Sequence, residues 1–222
     1  ELNARVAGLV PVPGQPWKLT WSHPDGEPRT ESFSTVILAL PAAALAALPI
    51  SRMGDRPLGA LADIEYPPVS SLFLGYQREQ VRHPLDGFGM LVPPAEHRVA
   101  LGVLFSSALF AGRAPAGHVA LTVMTGGAIR PDLARLDDAP LLTLVRNDLA
   151  ELLGVHGDPV FVRRTVWPRA IPQYNLGYER FLDLIARTET EHPGLLIGGH
   201  VRDGISIPNC VAAGEKLAAR AL

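Results

Sequence analysis

A short apolar run, a pair of glycines and a helix start lie close together near the C-terminus, and they restrict the fold more than any other stretch. Leu195, Leu196 and Ile197 are continuous and stop at Gly198 and Gly199, the pattern of a buried strand that ends where something must approach its backbone closely. A helix follows. Ser206 can cap it, Pro208 sits in its first turn, and Ile207, Cys210, Val211, Gly214, Leu217 and Ala218 recur at helical spacing. That spacing predicts one apolar face from end to end, with Cys210 as a small side chain on the buried side. Strand, glycine turn and helix start gather unpaired N–H groups and the positive end of a helix dipole at one spot. Negative charge is favoured there, and phosphate is the usual tenant, although a strand joined to a helix by a glycine turn needs no ligand.

At 222 residues, with 47% hydrophobic and 19% charged, the chain can bury a substantial core and suits one or two domains. A net charge of −2 gives no support to nucleic-acid binding, and no run of Lys or Arg marks a phosphate-tracking stripe, so no nucleic-acid partner is expected. Cys210 is the only cysteine, which rules out an internal disulfide. No apolar run approaches the roughly 20 residues that span a bilayer, and no signal peptide is visible. A cytoplasmic location is the expectation.

Taken in order, residues 5–10, 17–21 and 29–33 read as a small strand meander with turns at Pro13-Gly14 and Pro24-Asp25-Gly26. Residues 35–40 form a β-branched and apolar run closed by Pro41, and 42–48 are helix formers. After a helical turn at 58–64, Tyr66-Pro67-Pro68 starts an extended segment. Strands are expected at 69–76, 87–92, 98–106 and 118–126, making an antiparallel sheet that is apolar on both faces. Such a sheet needs helices on one side and a domain or ligand on the other. The helical cover begins at Asp137-Asp138 and carries Leu141, Leu144, Val145, Leu149, Leu152 and Leu153 up to Gly154. A strand at 160–166 and a helix at 178–187 complete the pattern.

Side-chain catalysts are missing. The seven histidines show neither H-x3-H nor HExxH spacing, there is no GxSxG, and Cys210 has no base beside it. Neither a metal site nor a catalytic side chain is expected.

The stretch from Gly198 to Cys210, GGHVRDGISIPNC, resembles the C-terminal flavin motif of the protoporphyrinogen oxidases, within the flavin amine oxidase superfamily. Residues 66–92, 101–127 and 167–177 match the same family in the same order. LDGFGMLVP, LFSSALFAGRAP and WPRAIPQY are more specific than any glycine motif, and the resemblance covers nearly the whole chain. It implies an α+β fold: an antiparallel substrate-binding sheet packed with helices, plus the C-terminal part of a glutathione-reductase-like FAD-binding domain. On this view residues 1–50 and 176–222 belong to the FAD-binding domain and 51–175 to the substrate domain. The family's GxGxxG strand-turn-helix is not found here, which implies a C-terminal-half fragment, inactive alone and not retaining FAD.

The resemblance also implies site residues. Val6 would read the adenine, Trp167 border the isoalloxazine, and Gly199, His200, Ile205, Ser206 and Ile207 contact FAD, with His200 standing where Asn or Ala is usual. Leu91 and Leu104 would pack on a tetrapyrrole beside Phe88 and Gly89, and Met124 stands where an aromatic stacks. The arginine that pairs with a substrate propionate falls outside these residues, with Arg169 as a substitute. FAD would perform the redox chemistry itself. The implied reaction oxidises protoporphyrinogen IX to protoporphyrin IX with oxygen as acceptor, in heme biosynthesis. Coproporphyrinogen III is the alternative substrate; a carotenoid desaturase or monoamine oxidase is disfavoured by LDGFGMLVP and WPRAIPQY. A second alternative is a non-catalytic domain that dimerises through an exposed edge. Peripheral membrane contact would come from residues outside the chain.

Overall fold

The computed structural model describes residues 2–12, 14, 17–24, 26–51 and 53–222. Two expected turn residues, Pro13 and Asp25, lie outside the described residues. The chain forms two compact units, one made of Glu1–Glu65 with Ile171–Leu222 and the other of Tyr66–Ala170.

The first unit opens with an antiparallel meander, β1 (Arg5–Val10), β2 (Trp17–Ser22) and β3 (Arg29–Phe33). Leu9, Trp17 and Trp21 are its buried members. Next come β4 (Val36–Leu38) and α1 (Ala42–Ala47), whose Ala42, Leu45 and Ala46 are buried. Residues expected to begin the second domain stay with the first. The Leu9 N–H donates to Pro49 O, that of Ile50 to Asp55 O and that of Gln173 to Glu65 O. The units therefore part at 65/66 and 170/171, whereas 50/51 and 175/176 were expected.

The second unit is a five-stranded antiparallel sheet in the order β6-β7-β8-β5-β9. Its strands are β5 (Val69–Gln77), β6 (Gly89–Leu91), β7 (Ala100–Leu104), β8 (His118–Gly126) and β9 (Phe161–Trp167). Along β5 the two-residue alternation of a strand is plain. Ser70, Leu72, Leu74 and Tyr76 are buried, while Ser71, Phe73 and Gly75 are only half-buried. The buried side is closed by α3 (Asp138–Leu153), where Leu141, Val145, Leu149 and Leu153 join Leu72, Leu74, Val103, Leu121 and Val123 in one core. Leu144, expected in that stripe, is exposed, and a carboxylate takes an inward place instead. Asp148 is buried and accepts from the N–H groups of Val99 and Ala100, both at 2.8 Å. A short helix, α2 (Ser106–Leu109), lies against β8, where the Ser107 hydroxyl accepts from the Ala120 N–H. The ends of the unit meet, since the Ala170 N–H donates to Pro67 O.

The chain then returns to the first unit through α4 (Glu179–Glu191), β10 (Leu195–Ile197) and α5 (Ile207–Ala221). β10 is buried throughout and pairs in parallel with β4. The apolar face expected along α5 is not buried as a whole. Only Ala213 and Leu217 are, while Ile207 is 82% and Val211 59% exposed. Cys210 is exposed too, which corrects its expected place on a buried face. The reason lies at Gly198. A Cβ there would stand 2.5 Å from Leu217 Cδ1, so the bare glycine lets Leu217 close onto the strand end and fixes which edge of the helix faces inward.

Candidate functional site

The turn between β10 and α5 is held from several directions. Gly199 has φ +95° with open space where a side chain would begin, a conformation that favours glycine. Its N–H donates to Asp203 Oδ2 at 2.8 Å, and its carbonyl accepts from the N–H groups of Arg202 and Asp203. Two tyrosines of the 171–178 segment fix the next peptides. Tyr174 O–H donates to His200 O and Tyr178 O–H to Val201 O, with ring centroids 4.7 Å apart. Ser206 caps α5 as expected, accepting from the Asn209 N–H at 3.2 Å.

Below the turn sits Glu189. Its carboxylate accepts from the Ile197 N–H at 2.7 Å, from Arg202 at 3.0 Å and from Arg220 at 2.8 Å. Burial pushes this carboxyl up, but Arg220, the Ile197 N–H and Arg202 outweigh it and hold the group below the usual carboxylate range. His200 moves the other way from a charged state: burial pulls its imidazole below the ordinary value, which favours the neutral ring.

Gly199, His200, Ile205, Ser206 and Ile207 thus lie together on one turn. Ile205 and Ile207 are exposed, and their N–H groups have no partner among the described residues. Val6 lies elsewhere in the same unit, on β1 opposite Trp21. Glu189, Arg202, Asp203, Tyr174 and Tyr178 were not read from the sequence. Their bonds reach across turns and between segments, and no periodicity signals such partners.

The second set of expected residues falls on the sheet face opposite α3. Strand register puts Leu91, Gly102, Met124, Ser71 and Thr165 in one row, and Gly89, Leu104, Thr122, Phe73 and Arg163 in the next. Leu91, Leu104, Met124 and Gly89 therefore share a face. Phe88 precedes β6 and is exposed, with its carbonyl accepting from the Phe105 N–H. Trp167 ends β9 opposite Val69 and is exposed as well. Two glycines draw β6 tightly onto β7: a Cβ at Gly89, whose φ is +149°, would lie 2.3 Å from Val103 O, and one at Gly102 would lie 2.8 Å from Met90 O. α2 bounds the face at one end, where the Ser106 and Thr122 hydroxyls are 2.7 Å apart. The result is a mostly apolar surface with Leu91 88% exposed. It can orient a flat apolar molecule, and among the described residues no group of three His, Cys, Asp or Glu could hold a metal.

The turn favours an anion and the sheet face an apolar molecule, two binding surfaces that can serve a bound redox group. The model of the flavin containing amine oxidoreductase family matches residues 1–222. The chain belongs to that family. Within it, the chain is 35% identical over 188 residues to the mitochondrial protoporphyrinogen oxidase of Nicotiana tabacum, covering 83% of this chain and 37% of the relative. It is 33% identical over 227 residues to protoporphyrinogen oxidase 2 of Arabidopsis thaliana, covering 98% and 44%. Similarity to coproporphyrinogen III oxidase of Bacillus subtilis is weaker, at 24% over 69% of this chain and 33% of that protein. The chain spans less than half the length of these relatives. A solved flavin-family fold, a candidate protoporphyrinogen oxidase from Exiguobacterium sp. 255-15, superimposes with a TM-score of 0.77 at 20% identity over 98% of this chain and 46% of that one. Mixed helices and antiparallel sheets of this kind are the architecture of flavin amine oxidases.

Proposed function

We propose that this chain forms part of an FAD-dependent, oxygen-using protoporphyrinogen oxidase, which converts protoporphyrinogen IX to protoporphyrin IX. The observation that carries the reading is the shared sheet face of Leu91, Leu104, Met124 and Gly89, an apolar surface suited to a disc-shaped tetrapyrrole. The 33–35% identity to plant protoporphyrinogen oxidases favours this substrate over coproporphyrinogen III.

The first unit is then the C-terminal part of a glutathione-reductase-like FAD domain, and the second the substrate domain. The donor set of the turn fits a flavin. Gly199 leaves its front open, the Ile205 and Ile207 N–H groups are unpartnered among the described residues, and the capped start of α5 favours a negative ring edge. Gly199, His200, Ile205, Ser206 and Ile207 would hold it, with Val6 at the adenine. Bound FAD supplies the electron acceptance that porphyrinogen oxidation needs, with oxygen as final acceptor. The chain's own residues bind and orient: Tyr174, Tyr178 and Glu189 fix the turn, while Leu91, Leu104, Phe88 and Met124 seat the macrocycle and keep water away. Met124 keeps that seat apolar without ring stacking. A cytoplasmic location, with any membrane contact peripheral, belongs to the same proposal.

The test is porphyrin fluorescence appearing when the FAD-loaded full-length protein meets protoporphyrinogen IX in air. Leu104→Asp should raise KM at least tenfold and leave flavin absorbance unchanged. A flavoprotein that is inert towards porphyrinogens yet reduced by an amine would overturn the proposal.

A further inference from the structure

Neighbouring residues of a strand point to opposite faces, and β9 carries two neighbouring arginines with opposite surroundings. Arg164 turns towards the α3 side and is fully engaged. Its guanidinium donates to Ser70 Oγ at 3.0 and 3.1 Å, Ala134 O at 2.9 Å, Leu136 O at 2.7 Å and Asp138 Oδ1 at 2.6 Å. That set of bonds explains why an arginine stands there. Arg163 turns to the other face, is exposed, and has no hydrogen-bond or ion-pair partner among the described residues.

The surroundings of Arg163 are unusual for a free cation. Its cross-strand partner is Phe73, and the Phe73 and Phe161 rings meet edge-on at 6.1 Å on the same face. The same row continues through Thr122 to Leu104 and Gly89, and the next holds Thr165, Ser71, Met124, Gly102 and Leu91. No acidic side chain of the five strands lies in either row. A ligand covering this face would desolvate the guanidinium beside two aromatic rings, where an opposite charge is bound more strongly than in water.

We infer that Arg163 binds a propionate carboxylate of the porphyrinogen and so fixes how the macrocycle is rotated in its own plane. This rests on the substrate reading proposed above. Protoporphyrinogen is an apolar disc with two carboxylate arms, and a carboxylate held over an apolar sheet needs a cation. Arg163 lies three strands from Leu104, about 14 Å at about 4.8 Å per strand. A disc seated over Thr122 and Met124 therefore points an arm, not its ring, at the guanidinium. The planar fork can take both carboxylate oxygens.

The experiment compares protoporphyrin IX with its uncharged dimethyl ester as ligands of the FAD-loaded full-length protein, read by quenching of porphyrin fluorescence. The wild type should prefer the diacid. Arg163→Gln should lose about tenfold in affinity for the diacid and none for the ester. Arg163→Lys should recover part of the loss, and KM for protoporphyrinogen should rise in R163Q more than kcat falls. Arg146→Gln removes the same charge from α3, on the opposite side of the sheet, and should leave the preference intact. An unaltered preference in R163Q, or an equal loss in R146Q, would overturn the role of Arg163 and leave the substrate reading standing. Failure of the wild type to bind either porphyrin would remove both.

Discussion

At the scale of single residues, Glu189 shows how one side chain can hold a turn built almost entirely of backbone. Its carboxylate joins the end of β10, the middle of the turn through Arg202 and the far end of α5 through Arg220. Glu189→Gln keeps the shape but loses the charge that all three donors face, and should lower stability by about 2 kcal/mol in urea unfolding. The pH dependence has a definite sign. A carboxyl depressed in the folded state contributes stability that is present above its ordinary value of about 4.3 and lost as pH falls through the lower folded value. Acid titration of the melting temperature should therefore fall less steeply for Glu189→Gln than for the wild type; parallel curves would show the network to be idle. Little of this was legible in the sequence. The site residues Gly199 and Ser206 announce themselves through backbone conformation and capping, which are local. Glu189, Tyr174 and Tyr178 act on atoms of other segments, and Arg163 differs from Arg164 only by which face of β9 it occupies.

Among the elements, strands and long helices were readable because their periodicity reports burial directly. β8 runs His118–Gly126 as expected, and β1 and β3 also keep their expected limits. Two helices show where the pattern misleads. In α3 the stripe was right except at Leu144, which is exposed, and it missed Asp148, which is drawn inward by the Val99 and Ala100 N–H groups. In α5 the stripe is real in sequence, but every member except Leu217 lies outward in this chain, because contact at Gly198 selects the Ala213 and Leu217 edge. Leu217→Ala should cost about 2–3 kcal/mol, whereas Val211→Ser should stay within about 0.5 kcal/mol. Chemical denaturation of both variants decides the matter, and comparable losses would mean that Val211 is covered after all.

For the molecule as a whole, the contiguous unit carries its own core and brings its two ends together at Pro67 and Ala170. Tyr66–Ala170 expressed alone should fold with a single cooperative transition and a dispersed amide spectrum; a collapsed spectrum without a transition would show that its core is incomplete. The other unit is assembled from distant pieces, because β4 pairs with β10 only after the whole of Tyr66–Ala170 has been made. On the ribosome, β4 must wait with an unpaired edge while the inserted unit, rich in nearer contacts, closes upon itself. The Gly199 turn follows that unit out of the exit tunnel. Any group that seats there is captured late, by a nascent chain whose middle has already set.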